Sequence, residues 1–217
     1  MELISAIQER EKTLFNNLTR EQLIEHIRRL GEKARESINI IEPRYHHNPY
    51  KHGEQITKYA RNLARHLKCS QEDIEIICYA ARLHDIGKEE ISKEILNKPA
   101  QLTESEYEII KKHPLYGQTI VNPLIYIGTL IRHHHERYDG KGYPDGLKGD
   151  KIPLGSRIIS IIDAYSAMTH FRPYKKPLSK KNALEEIKRC SGTQFDPQIA
   201  DVFIKFIHEE DYRKIRQ

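Results

Sequence analysis

Imidazoles and carboxylates recur in this chain where helical spacing calls for apolar side chains. In IICYAARLHDIGK, residues 76–88, His84 lies four after Ala80 and seven after Ile77, and Asp85 lies four after Ala81, so both project from the face that the aliphatic residues would bury. Gly87 is expected to end that helix. His52 stands four before Ile56, His113 three after Ile110 and four before Gly117, and Asp163 four after Ile159. His134 and His135 share a face with Ile127 and Ile131, while His133 is turned away. One inward histidine is usually a hydrogen-bonded core residue. Five imidazoles and two carboxylates directed inward are a different matter, because each ionised group buried without a partner costs several kcal/mol.

A pair of divalent metals would satisfy all seven together. Neutral imidazole and carboxylate suit zinc, iron or manganese, and no thiolate cluster points to a purely structural zinc site. Seven side chains are too many for one coordination sphere. Shared between two metals with one carboxylate bridging, they leave positions open for water and substrate, which suits hydrolysis of phosphate esters.

The rest of the chain sets the frame. Helical periodicity dominates without sustained strand alternation, so the fold is expected to be all-α. Thr103 with Glu106 forms a capping box, Ser179 is an N-cap, and Asp196 is an N-cap followed by Pro197 at the first helical position. Pro114 is expected either to kink a helix or to begin a new one. Residues 1–42 carry helical spacing, with a capping box from Thr19 to Gln22. They either pack on the main domain or form a homodimer seam, and the small number of heptads favours packing. YDGKGYPDGLKGDKIP is the one long glycine-rich loop.

With 36 basic and 31 acidic residues the formal charge is +5, spread along the length. This suits an anionic ligand and gives no nucleic-acid footprint. Cys69, Cys78 and Cys190 match neither a metal pair nor a disulfide framework, so they are expected to be core thiols in a reducing compartment. No apolar run approaches the roughly 18 residues that span a bilayer, and the first residues do not resemble a signal peptide. A cytoplasmic location with no membrane contact is the expectation.

HDIGK at 84–88, HPLYG at 113–117, HHERYDGKGYPDGLKG at 134–149, DAYSAMTHFRPYK at 163–175 and GTQFDP at 192–197 together resemble the HD-GYP family of cyclic dinucleotide phosphodiesterases. The resemblance runs from about His46 to Ile207 and implies an HD-domain helical bundle over 43–217, with 1–42 as a helical extension. It implies metal ligands at His52, His84, Asp85, His113, His134, His135 and Asp163, with Asp85 bridging two ions, iron or manganese. It also implies that a metal-bridging hydroxide opens cyclic di-GMP to linear pGpG, with GMP as a further product. Lys88 would lie by the scissile phosphate, and Tyr143, Arg172 and Lys175 would contact the substrate.

Two positions depart from the family pattern. Asn48 stands where some members have a glutamate that holds a third metal, which implies two metals here. Ser166 replaces the second aspartate of DxxD, a change that bears on base recognition. A broader nucleotide phosphohydrolase and a non-catalytic binding module remain open as alternatives, the second because of Ser166. Glu136 is expected either to orient a ligand histidine or to form a surface salt bridge, and His133 to face solvent or support a ligand. Asp139, Lys141, Asp145 and Lys148 are expected to be solvated loop residues.

Overall fold

The computed structural model describes residues 49–122, 124–170 and 176–215, with side chains between 53 and 210 inside those stretches. The expected helices of 1–42, and the residues Asn48, Arg172 and Lys175, lie outside the described residues, as does the side chain of His52. Among the described residues the fold is all-α, with helices α1 Pro49–His66, α2 Gln71–Leu83, α3 Lys93–Leu96, α4 Glu104–Ile110, α5 His113–Ile120, α6 Ile125–Arg132, α7 Leu154–Thr169, α8 Lys180–Arg189 and α9 Pro197–Ile215. Short 3-10 turns at Ile86–Glu90 and Gly149–Lys151 join them. A lone bridge between Ser191 and Phe195 is the one β-type pairing among these residues.

Helix α7 is the centre of the bundle. Ile158, Ile159, Ile161 and Ile162 are all fully buried, so the helix is apolar around most of its circumference and needs neighbours on every side. α1, α2, α8 and α9 all pack on it, and α9 also packs on α1. α1 contributes the expected face of Ile56, Tyr59, Ala60 and Leu63. Tyr59, Tyr165, Phe203 and Phe206 interlock edge to face, with Tyr165 and Phe203 centroids 5.3 Å apart. Such aromatic pairs add about 1 kcal/mol each beyond the area they bury.

The predicted caps form. Thr103 and Glu106 make a reciprocal capping box, Ser179 accepts from the Asn182 amide, and Asp196 accepts from the amides of Gln198 and Ile199 ahead of Pro197. Pro114 begins a new helix, as the second residue of α5, where its missing N–H leaves no gap. A smaller apolar cluster of Ile91 and Leu96, flanked by Ile95, Ile110 and Tyr116, lies apart from the main core.

Gly87 does not end the helix as its position suggested. α2 already stops at Leu83, and Gly87 sits within the 3-10 turn that follows. Close approach explains the residue better: a Cβ there would lie 1.9 Å from the His113 carbonyl oxygen and 2.4 Å from the Gly117 amide nitrogen. Both obstacles are backbone, so the two segments touch at a distance no side chain permits. Gly87→Ala is expected to destabilise the protein by about 3 kcal/mol, read as a lowered denaturant midpoint. An unchanged midpoint would mean that the contact is not held in solution.

Candidate metal centre

The ends of α2 and α6 and the start of α5 converge beside the middle of α7. At each of these places the chain meets a helix end, where the last carbonyls lack partners within the helix. Three histidines use this. His84 Nδ1 donates to Ala81 O at 2.8 Å, His113 Nδ1 to Ile110 O at 2.8 Å, and His134 Nδ1 to Ile131 O at 2.6 Å. A carbonyl oxygen only accepts, so each Nδ1 carries the proton and each ring turns Nε2 toward the common centre.

The ring nitrogens of His113, His134 and His135 lie within 4.8 Å of one another, with the first two rings buried and the third half-buried. Asp85 adjoins them, its Oδ1 3.3 Å from His113 Nε2. Its other oxygen faces the opposite way, 3.5 Å from His84 Nε2 and 2.6 Å from Lys88 Nζ. Asp163, from α7, lies 3.8 Å from His84 Nε2. Asp85 thus has one oxygen near His113, which belongs to the cluster with His134 and His135, and the other near His84, which in turn meets Asp163. Six of the seven predicted metal ligands are brought together in this way. The seventh, His52, belongs to the first turn of α1, and its side chain lies outside the described residues.

The charges follow from burial and neighbours. Burial pushes His113 down to about 3 and His135 down to about 3, and it holds His134 well below the usual imidazole range. Burial acts on His84 as well, yet Asp85 and Asp163 outweigh it and push that ring up to about 9. Burial likewise resists ionisation of both carboxyls, but Lys88 and His84 hold Asp85 low and the bond from His84 holds Asp163 low.

The donor set fits a metal. His113 Nε2 and His134 Nε2 are 3.4 Å apart. With both Nδ1 protons committed to carbonyls and both rings neutral, each Nε2 presents a lone pair to the other and neither can donate. A cation ligated by both nitrogens turns that repulsion into attraction. Imidazole nitrogens with carboxylate oxygens are the donors preferred by borderline divalent ions.

The glycine-rich loop is more ordered than its composition suggested. Glu136, 2% exposed, neither orients a ring nor forms a surface salt bridge; its two oxygens accept the backbone amides of Asp145 at 2.7 Å and Leu147 at 3.1 Å. His133 is buried rather than facing solvent, and its Nε2 meets Asp145 Oδ2 at 2.8 Å. Asp145 is exposed as expected, yet it is held in place. Arg132 grips it through Nε and one terminal nitrogen at 2.7 and 2.8 Å, and this bidentate pair holds its carboxyl down to about 2. Asp139 accepts from Arg137 and from the Lys141 amide, while Lys141 and Lys148 are exposed as expected.

This clasp sets Tyr143 on the site. Its ring stacks on His135, with centroids 4.9 Å apart and planes at 26°. Gly142 makes the approach possible, because a Cβ there would lie 2.3 Å from the Arg137 amide nitrogen. Ser166, at the position of the missing aspartate, is buried on α7 with its hydroxyl 3.3 Å from His170 Nδ1.

The roles of Arg132 and Asp145 were not readable from the sequence, since nothing in their spacing distinguishes them from surface charges. The position of Glu136, beside a loop full of exposed amides, was the one available signal. Glu136→Ala leaves two amides without their acceptor and is expected to cost about 2 kcal/mol in chemical denaturation, with Glu136→Gln losing less. Equal midpoints for all three proteins would show that the clasp contributes nothing.

The HD domain family model matches residues 20–199. The cyclic di-GMP phosphodiesterase response regulator RpfG of Xanthomonas campestris pv. campestris is 41% identical over 157 residues, 70% of this chain and 42% of that protein. A cyclic di-GMP phosphodiesterase of Thermotoga maritima is 36% identical over 179 residues, 80% of this chain and 49% of that protein. The 3′3′-cGAMP-specific phosphodiesterase 2 of Vibrio cholerae is 34% identical over 170 residues, 76% of this chain and 32% of that protein. The chain thus spans about half or less of the length of these relatives. Among solved structures, a cyclic GMP-AMP specific phosphodiesterase of V. cholerae superposes with a TM-score of 0.60 at 19% identity, over 82% of this chain and 49% of that one. The HD domain of the L. monocytogenes phosphodiesterase PgpH superposes with a TM-score of 0.55 at 17% identity, over 83% of this chain and 97% of that one, and both likenesses are of fold. With the family model covering most of its length and the HD and GYP motifs in place at 84–88 and 142–144, the chain belongs to the HD domain family, in its HD-GYP branch.

Proposed function

We propose that this protein is a two-metal phosphodiesterase that hydrolyses cyclic di-GMP to linear pGpG, with GMP as the product of a second cleavage. The observation that carries this is the pair of facing Nε2 atoms of His113 and His134, 3.4 Å apart with Asp85 beside them. On this reading His52, His84, Asp85, His113, His134, His135 and Asp163 hold two ions, and Asp85, with one oxygen near His113 and the other near His84, is shared between them. The mixed nitrogen and oxygen donors favour iron(II) or manganese(II). When bound, such ions polarise a phosphoryl oxygen and lower the pKa of water.

The chain's own groups supply the rest. Lys88, 2.6 Å from Asp85, brings a cation to the edge of the site, where it steadies charge gathering on the phosphate or gives a proton to the leaving oxygen. Tyr143, held flat on His135 with Lys111 Nζ 5.9 Å from its ring centroid, is assigned a contact with the substrate. Arg172 and Lys175, just beyond the end of α7, are assigned to the phosphates because a guanidinium and an ammonium match a doubly charged ligand. The names of the relatives support this substrate class. Residues 43–217 form the catalytic unit and 1–42 a helical extension that packs on it or pairs two copies. The free thiols Cys69, Cys78 and Cys190 accord with a cytoplasmic setting, and no helix among the described residues is long and apolar enough to cross a membrane.

Anaerobic incubation of the protein with iron(II) or manganese(II) and cyclic di-GMP, followed by chromatography, is expected to yield pGpG. Asp85→Ala is expected to lose tight metal binding and at least 100-fold in rate, about 3 kcal/mol in transition-state stabilisation. A metal-replete, active Asp85→Ala enzyme would refute the shared-carboxylate assignment, and intact substrate with metal bound would favour a binding module.

Metal uptake should also depend on pH. Near neutrality His84 carries its proton whereas His113 and His135 are already neutral, so an ion that takes His84 Nε2 releases about one proton. Manganese affinity is therefore expected to rise with pH until it levels off at about 9, where His84 loses its proton unaided. Calorimetry in two buffers of different ionisation heat reads the proton count, and a count of zero would remove His84 from the ligand set.

A further inference from the structure

Helix α4, Glu104–Ile110, buries none of its residues. It is nonetheless firmly built. A capping box starts it, and Lys98 Nζ grips both oxygens of Glu106 at 2.8 and 2.6 Å. Ile110 packs against the small Ile91 and Leu96 cluster, but the helix leaves Tyr107 49% exposed, the most open of the large hydrophobic side chains described.

What the helix does is face the metal centre. Tyr107 and Lys111 are four apart and lie on one side of it. Lys111 Nζ sits 5.5 Å from the Tyr107 ring centroid and 5.9 Å from that of Tyr143, within cation–π range of both. Tyr143 in turn stacks on His135. The row therefore runs His135, Tyr143, Lys111, Tyr107, from the centre outward. The Tyr143 hydroxyl feels this placement: burial raises its pKa first, then Tyr107 on one flank and Asp85 and Asp163 on the other.

We propose that Tyr107 and Lys111, with Tyr143, form a purine subsite that receives a base of the cyclic dinucleotide while one of its phosphates lies at the metals. This rests on the phosphodiesterase reading above. An exposed aromatic ring next to a half-buried ammonium is the pairing that stacks a nucleobase and meets its polar edge. The ammonium is also selective. It donates three hydrogen bonds and accepts none, matching the O6 and N7 acceptors of guanine, whereas adenine sets an N6 donor beside N7. Lys111 also ion-pairs with Glu108, which keeps the ammonium close to α4.

The test compares the metal-loaded full chain with Tyr107→Ala and Lys111→Gln on three substrates: cyclic di-GMP, cyclic di-AMP and bis(p-nitrophenyl) phosphate, which has no base. Tyr107→Ala is expected to lower the ratio of kcat/KM for cyclic di-GMP to that for bis(p-nitrophenyl) phosphate at least tenfold, through KM more than kcat. Lys111→Gln should lower the preference for cyclic di-GMP over cyclic di-AMP three- to tenfold, because a carboxamide matches the adenine edge. Metal content, measured in each variant, separates this effect from damage to the centre. If the wild type cleaves cyclic di-GMP and both ratios hold in the variants, the subsite is refuted alone. If the wild type cleaves the simple diester but no cyclic dinucleotide, the cyclic di-GMP reading fails and takes the subsite with it.

Discussion

A ring proton given to a helix-end carbonyl is the interaction on which this molecule turns. It occurs at His84, His113 and His134, each three residues after the carbonyl that accepts it. The bond does two things at once. It satisfies an orphan carbonyl at the place where the chain leaves regular structure, and it fixes which nitrogen faces inward. Without it, a buried imidazole beside buried carboxylates could choose either tautomer, and the ring nitrogens of the centre would not converge. The orienting partners are backbone atoms, so they are present whatever side chains surround them.

The scaffold serves that arrangement with two kinds of rigidity. α7 is locked by fully buried isoleucines on nearly every side, and Asp163 is carried on it as a fixed wall. Opposite, the backbone of Gly87 lies directly against that of His113. The separation between Asp85 and the His113 ring is thus set by main chain meeting main chain. The loop beyond His135 has its own supports in Glu136 and in the Arg132, His133 and Asp145 cluster, which place Tyr143 on the ring of His135.

Much of this was legible in the sequence because helical spacing is a strong constraint on direction. Ile56, Tyr59, Ala60 and Leu63 fell on the buried face of α1, and His84, His113, His134, His135, Asp85 and Asp163 came together as their spacing pointed. Caps at Thr103, Ser179 and Asp196 were equally plain, since each depends on residues within one turn. Long-range contacts were harder to read. Gly87 looked like a helix terminator because a local rule fits it, but its true neighbour, His113, is 26 residues away in the chain. Glu136 was misread for a similar reason: a carboxylate's partners cannot be told from composition when the donors it serves are amides of a loop that folds back on it.

The separate apolar cluster of Ile91 and Leu96 gives the centre walls of unequal strength. On the α7 side, moving the helix that carries Asp163 would mean breaking the main core. On the side of α3 and α4 the apolar cluster is small, Ile91 and Leu96 with their half-buried neighbours, beside the ion pair of Lys98 and Glu106. Backbone amides of Glu104–Ile110 would therefore exchange their hydrogens long before those of Ile158–Ile162, in a protein with a stiff floor and a soft rim. Among the described residues, the wall formed by α3 and α4 is the one that yields first, and the α7 wall is the one that stays.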